Sequence, residues 1–500
     1  MNPLDMMVAD FNAEYLGISR LSLMESAGRA IANQVFDISE PAKVIIFSGS
    51  GGNGGDGLVA ARYLINQGFK VEIILLTSPS NIKSKEASIN WKVLENMIDY
   101  IPDLKINICL DSSKINSLTM DDNDIIVDAI LGTGIKGNLK EPVRSAIEII
   151  NNSNSIKIAI DIPSGLDPLT GDVKDISVIA DYTITFHKAK KGLKIGPPRN
   201  IGKLIISDIG IPKIAEVLLG PGDILRLKSR DQNAHKGGNG RVLIVGGSKE
   251  YSGAPALAGM AALSAGVDLV TIVCPDSASV PIKSYSPDLI VIPVSGDYIN
   301  PGAVDTILEL SKKSDCILLG CGIGESNESH MALNTIVKNL GEHKSMVIDA
   351  DALKMVDKEI VKNYEDLIIT PHMGEFEAFF GEISSARQLG LFEKITAFHS
   401  LSKQIKGTVL LKGKVDMIFN GGRFRLNKTG SPGMTVGGTG DCLAGLVAAL
   451  RSQDHSSWDS ACLATFINGR AGEYAEKKWG YGFTTSQMIQ FLNKSMRHDF

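Results

Sequence analysis

Five hundred residues are more than one hydrophobic core serves, so the chain is expected to divide into domains. Apolar residues make up 44%, and 51 glycines mark a loop-rich α/β protein. A net charge of −5 without a basic stripe excludes a general nucleic-acid binder.

The six cysteines (109, 274, 316, 321, 442 and 462) fit neither a CxxC metal pattern nor a disulfide framework, and they read as reduced thiols. No basic stretch precedes an apolar run at the start, so no signal peptide is expected. The apolar stretch Tyr251 to Val267 falls short of a membrane span and reads as a buried helix. A cytoplasmic protein without a membrane partner follows.

In chain order, residues 21–36 carry apolar positions at helical spacing, and Lys43 to Phe47 is a short apolar strand. A helix over 58–67 and a strand over 71–76 come next. Ile125 to Asp128 and Lys157 to Asp161 are apolar runs that each end in aspartate, and Tyr182 to Phe186 and Leu204 to Ile206 complete this half. The basic run Lys188-Ala189-Lys190-Lys191 reads as a solvated loop. Near-continuous apolar strands alternating with helices predict a parallel sheet covered on both faces, with ligands beyond the strands' carboxyl ends. Residues 213–229 read as a linker with a short helix.

A second α/β unit opens at Arg241 to Gly247. Its further strands are expected at 269–273, 317–319, 346–348, 367–369 and 408–411, with a hairpin turning at Asn420-Gly421-Gly422.

Two glycine-rich loops carry the chemistry. Ser48 to Gly57 follows the first strand, but it is neither a G-x-G-x-x-G fingerprint nor a P-loop. Its companions are Asp128-Ala129-Ile130-Leu131-Gly132-Thr133-Gly134 and Asp161-Ile162-Pro163-Ser164-Gly165, with oxygen donors suited to a hard cation. These segments, together with Leu23-Met24-Glu25-Ser26-Ala27-Gly28, resemble the NAD(P)H-hydrate epimerases over residues 1–212. The resemblance implies a Rossmann-like three-layer domain that interconverts the R and S epimers of hydrated NAD(P)H. It also implies substrate contacts from Gly52, Asn53, Gly54, Gly55 and Asp56, and from Gly132, Thr133, Gly134, Ile135, Lys136, Gly137 and Asn138. Asp161 would touch the substrate near the reacting ring as a catalytic residue, and Asn53, Asp128 and Ser164 would surround a potassium ion. Gly52 stands where the family usually has asparagine.

The second loop, Gly430 to Asp441, opens an apolar helix. Its backbone N–H groups form an anion hole, and Asp441 at the helix start can take a proton from a hydroxyl. With His235 to Gly240, Gly246-Gly247-Ser248, Asp349 to Leu353, Thr370 to Phe376 and Leu411 to Lys414, it resembles the ADP-dependent NAD(P)H-hydrate dehydratases over residues 230–500. This resemblance implies a ribokinase-like α/β domain in which ADP phosphorylates the hydrate's hydroxyl, giving AMP, and phosphate then leaves. Asp441 would be the catalytic base. Gly437, Gly438, Thr439 and Gly440 would hold the phosphoryl group, and Lys412, Gly413, Lys414, Val415 and Asp416 the adenine nucleotide. Ala254, Gly322 and His372 would contact the hydrate, and Mg2+ would accompany the nucleotide. Cys321 stands where this family commonly has proline, and Asn468 where it frequently has histidine.

The combined resemblance implies a bifunctional repair enzyme acting on NADHX and NADPHX as a homo-oligomer. A ribokinase-like vitamin kinase with a regulatory nucleotide-binding domain is the alternative enzyme, and a scaffolding N-terminal half the non-enzymatic one.

Overall fold

The computed structural model describes residues 1–134, 138–231, 233–382 and 389–497 and divides the chain into two units, Met1–Ala215 and Glu216–Phe500. The first unit is built on seven strands: β1 (Lys43–Ser48), β2 (Lys70–Leu75), β3 (Leu104–Ile108), β4 (Ile125–Ala129), β5 (Ile156–Ile160), β6 (Tyr182–Phe186) and β7 (Lys203–Ser207). They lie in the order β3-β2-β1-β4-β5-β6-β7, all parallel. Val44, Ile45, Ile46 and Phe47 are all buried, as a central strand covered on both faces requires. Strand order reverses direction between β1 and β4, where a crevice opens beyond the carboxyl ends.

The first glycine run is not a loop ahead of a helix at residue 58. Helix Gly52–Asn66 starts within it, so most of the run forms its opening turns. The glycines let that helix press onto the sheet: a Cβ on Gly57 would stand 2.7 Å from the Ala129 Cβ.

The second unit contains β8 (Arg241–Val245), β9 (Leu269–Pro275), β10 (Ile290–Val294), β11 (Cys316–Leu319), β12 (Met346–Ile348), β13 (Leu367–Ile369), β14 (Thr408–Leu411), β15 (Asp416–Asn420) and β16 (Arg423–Asn427). Their order is β10-β9-β8-β11-β12-β13-β14-β15-β16, parallel through β14 and closed by an antiparallel β15–β16 hairpin. Its switch point lies between β8 and β11. Helices Gly253–Ser264 and Thr439–Ser452 pack in its core, and Tyr251 to Val267 does contain the expected buried helix.

Residues 216–227 differ from a linker. Leu219 and Ile224 join the second unit's core, and the buried Asp223 carboxylate accepts from the Arg425 guanidinium at 2.8 and 2.9 Å. Among the described residues, no helix is long and apolar enough to cross a membrane.

Candidate active sites

A cavity of about 650 Å³ opens at the β1–β4 switch point of the first unit, lined among others by Asp10, Gly52, Asn53, Asp56, Gly132, Thr133, Gly134, Asp161 and Lys190. Gly54 and Gly55 are buried in the helix behind it, and Asn138 is exposed. Ile135, Lys136 and Gly137 lie outside the described residues.

Asp128 lies on β4 opposite Phe47 of β1 and is buried. Its carboxylate accepts from the Ser164 hydroxyl at 2.6 Å, the Ser164 amide at 2.8 Å and the Ile130 amide at 3.2 Å. Burial nevertheless pushes it up to about 6. Ser164 Oγ also accepts from the Leu131 amide at 2.9 Å, and Asn53 Nδ2 donates to the Leu131 carbonyl at 3.1 Å. Leu131 thus ties the three expected ion ligands into one patch. The remaining Asn53 oxygen is buried without a partner. An unused oxygen beside a buried carboxylate and hydroxyl fits a hard cation such as potassium.

Asp161 follows β5 with φ of +62°, a left-handed conformation strained for a non-glycine residue. The turn aims its carboxylate at the cavity wall, where it accepts from Thr185 Oγ1 at 3.1 Å and from the Lys190 ammonium. Lys190 overturns the reading of its segment as a solvated loop. It is 1% exposed, and its ammonium also donates to Thr185 Oγ1 at 3.1 Å. Two further carboxyl groups share this field. Burial pushes Asp10 up to about 7, reinforced by Asp161 and opposed by Lys190. Burial, then Asp161 and Asp10, push Asp56 well above the ordinary carboxylate range. Arg20 and Lys83 also line the cavity, yet burial still disfavours the charged forms of Asp10 and Asp56.

In the second unit, Gly438 takes the left-handed conformation (φ +94°) and opens helix Thr439–Ser452, with Asp441 in its first turn. The Thr485 hydroxyl pins the Gly437 carbonyl at 2.8 Å, and Thr439 Oγ1 donates to the Met434 carbonyl at 2.8 Å. These bonds hold the loop's N–H groups at a helix N-terminus, where an anion is favoured.

Lys412, at the end of β14, points inward. Its ammonium donates to Asp349 Oδ1 at 2.7 Å and lies 3.9 Å from Glu375 and 3.4 Å from where a Cβ on Gly440 would stand. Burial opposes its charge, but Asp349 and then Glu375 push its pKa up. Asp441 is pushed up to about 6, first by burial and then by Asp349, while the Cys321 thiol opposes the rise. Asp416 closes the β14–β15 turn, accepting from the Gly413 amide at 2.9 Å and Asn427 at 3.0 Å, with Lys414 exposed beside it.

Ala254 and Gly322 are neighbours: a Cβ on Gly322 would stand 3.0 Å from the Ala254 Cβ. His372 caps helix Met373–Phe380, its Nδ1 accepting from the Glu375 amide at 3.2 Å, and its ring remains exposed. Asn468 is buried and its carbonyl oxygen is unpartnered.

Sequence reasoning missed Asp10, Lys190 and Glu375 and assigned no role to Asp349. Asp349 follows an apolar strand as Asp161 does, Asp128 lies near the carboxyl end of one, and Lys190 lies beyond the end of β6. That strand-end position was the available signal. Asp10, on helix Pro3–Tyr15, carries none.

The NAD(P)H-hydrate dehydratase family model matches residues 242–494, and the YjeF-related protein N-terminus model matches residues 20–192. The bifunctional NAD(P)H-hydrate repair enzyme Nnr of Methanothermobacter thermautotrophicus is 52% identical, covering 100% of this chain and 96% of its own. The protein of the same name from Pyrobaculum aerophilum is 41% identical, covering 99% of this chain and 97% of its own. A solved structure of a hypothetical protein from Streptococcus mutans, 22% identical, covers 56% of this chain and 98% of its own with a TM-score of 0.50. That likeness bears on the fold alone. With both family models matched in order and full-length relatives above 40% identity, the chain belongs to the family of bifunctional NAD(P)H-hydrate repair enzymes.

Proposed function

We propose that residues 1–212 interconvert the R and S hydrates of NADH and NADPH, and that residues 230–500 dehydrate the S hydrate at the expense of ADP. The observation that carries the reading is the presence of two equipped sites on one chain. One is a cavity with an Asp161–Lys190 ion pair, its lysine buried, and an Asp10 that burial pushes up to about 7. The other is a helix-start anion loop with Asp441 and Lys412 beside it.

Carbon 6 of the hydrated ring bears both a hydroxyl and the ring nitrogen. Inverting it requires one of those bonds to break and reform. A proton is delivered to the departing atom and recovered afterwards. Asp10 supplies that proton and Asp161 receives it, while Lys190 and Thr185 hold the Asp161 carboxylate in place. Asn53, Asp128 and Ser164 would hold a potassium ion, which supplies a fixed positive charge for the substrate's phosphates or amide. The unpartnered Asn53 oxygen supports that assignment.

In the second unit Asp441 takes the proton of the C6 hydroxyl as its oxygen attacks the β-phosphorus of ADP. The bond to AMP breaks, the phosphoryl group passes across the N–H groups of Gly437 to Gly440, and Lys412 balances its charge. Loss of the C5 proton and departure of phosphate from C6 then restore the double bond. Mg2+, bound with the nucleotide, supplies charge neutralisation on the phosphates. Residues 412–416 and 437–440 would hold the nucleotide, and Ala254, Gly322 and His372 the hydrate.

The deciding experiment follows recovery of NADH absorbance from mixed R and S NADHX with ADP and Mg2+. Recovery from both epimers is expected. Recovery from the S epimer alone would remove the epimerase, and none with ADP or ATP would remove the whole reading.

A further inference from the structure

We propose that Cys321, Asp349 and Asp441 form a binding site for a thiophilic divalent cation of the Zn2+ or Cd2+ type, and that such a cation blocks dehydration by occupying the base. The inference rests on the proposed role of Asp441 for the inhibition, but not for the binding.

The Cys321 sulfur and a carboxylate oxygen from each of Asp349 and Asp441 lie within 4.8 Å of one another. Each comes from a separate element. Cys321 is in the turn after β11, Asp349 is the residue after β12, and Asp441 is in the first turn of helix Thr439–Ser452. Three ligands presented from separate elements match the ligand count of a protein-held zinc ion, and Asp441 is the one of the three that is not fully buried. Asp349 Oδ1 is occupied by Thr370 and Lys412, which fixes the carboxylate and leaves its second oxygen for the cluster.

Charge favours a cation here. Asp349, Glu375 and Asp441 surround one ammonium, Lys412, so the fully ionised cluster is over-negative. Both carboxylates of the triad act on the buried thiol and, after burial itself, push its pKa up, so the free thiol is inert. A bound divalent ion reverses that balance and displaces the thiol proton to solvent, forming a metal–sulfur bond with no change of oxidation state. Sulfur separates this site from one for Mg2+, which takes oxygen ligands.

The test uses the full-length protein without nucleotide, titrated with Cd2+ and monitored at the ultraviolet sulfur-to-cadmium charge-transfer band. A band saturating at one equivalent per chain, displaced by Zn2+ and lost in Cys321→Ser, is expected. Asp349→Asn should weaken the titration about tenfold or more. In turnover assays Zn2+ should inhibit the wild type at concentrations about tenfold or more below those needed for Cys321→Ser, and a chelator should restore the rate.

No band, or a band that survives Cys321→Ser through the other buried cysteines, overturns the site. Equal Zn2+ inhibition of wild type and Cys321→Ser overturns it as well. A Cys321-dependent band in a protein that never dehydrates NADHX keeps the metal site and removes only the proposed reaction.

Discussion

The two units share a charge arrangement and differ in what faces it. In the first, Lys190 pairs with Asp161, and its charge acts on Asp10 and Asp56; in the second, Lys412 pairs with Asp349, lies 3.9 Å from Glu375, and its charge acts on Asp441. Both lysines are held in by a carboxylate at the end of a parallel strand. Lys190 faces a cavity that Asp10, Asp56, Asp161 and Glu86 line together with Arg20 and Lys83, a setting for moving protons. Lys412 lies beside the helix-start loop at Gly440, a setting for a phosphoryl group. Helix starts lie at both sites, Gly52 in the first and Thr439 in the second, so what separates them is that Lys412 lies against the helix-start loop whereas Lys190 pairs with Asp161 across the cavity.

The sharpest way to break this comparison is Asp441→Asn. Dehydration is expected to fall by about 10²–10⁴-fold, the range for removing a general base. Epimerisation, measured by exchange between separated R and S NADHX, should be unaffected. Loss of both activities would show that the chemistries are not divided between the units.

Lys190→Met should affect only the first unit, reducing epimerisation by about 10²-fold or more. It also strips Asp161 of its buried partner. Unfolding of this unit should become easier by about 3 kcal/mol, seen as an earlier calorimetric transition. Intact epimerisation would reduce the buried pair to a packing feature.

The pH dependence follows from Asp10. An acid pushed up to about 7 is protonated below that pH and ionised above it. Epimerisation should therefore decline as pH rises through about 7. Because the folded carboxyl holds its proton more tightly than the unfolded one, this group's contribution also makes the first unit less stable as pH rises from the ordinary carboxylate range to about 7. Asp10→Asn should remove that stability slope and the high-pH decline together. An unchanged rate–pH profile would assign the transferable proton to Asp56.

How far this was legible in the sequence depends on what each residue's neighbours reveal. Apolar runs ending in aspartate at 128 and 161, and the glycine run into Asp441, located three carboxyl groups at the ends of strands or the start of a helix, because a buried parallel strand is nearly continuous in apolar residues. The edge strands β3 and β10 escaped notice: Lys105, Asn107 and Pro293 interrupt them, since an edge strand has less to bury. Lys190 was hidden by its lysine neighbours. Only the chain's return from β6 toward Asp161 buries one member of a basic run, and local composition cannot report that. Residues 216–227 looked like a linker because their anchor, Arg425, lies some two hundred residues away.

The mildest prediction concerns Gly52, the one departure within the first site. It is exposed at the cavity rim, with no atom within 4 Å of an added Cβ. It is helical but does not require a left-handed backbone, so Gly52→Asn meets neither a clash nor strain, unlike a substitution at Gly49, where the Ile130 carbonyl would stand 1.9 Å away. An added amide that reaches the substrate contributes one hydrogen bond, worth about 0.5–1.5 kcal/mol. The epimerase KM should then fall by about two- to tenfold with kcat little changed, since the amide would hold ground and transition states alike. A KM that stays fixed would mean that the glycine costs this enzyme nothing.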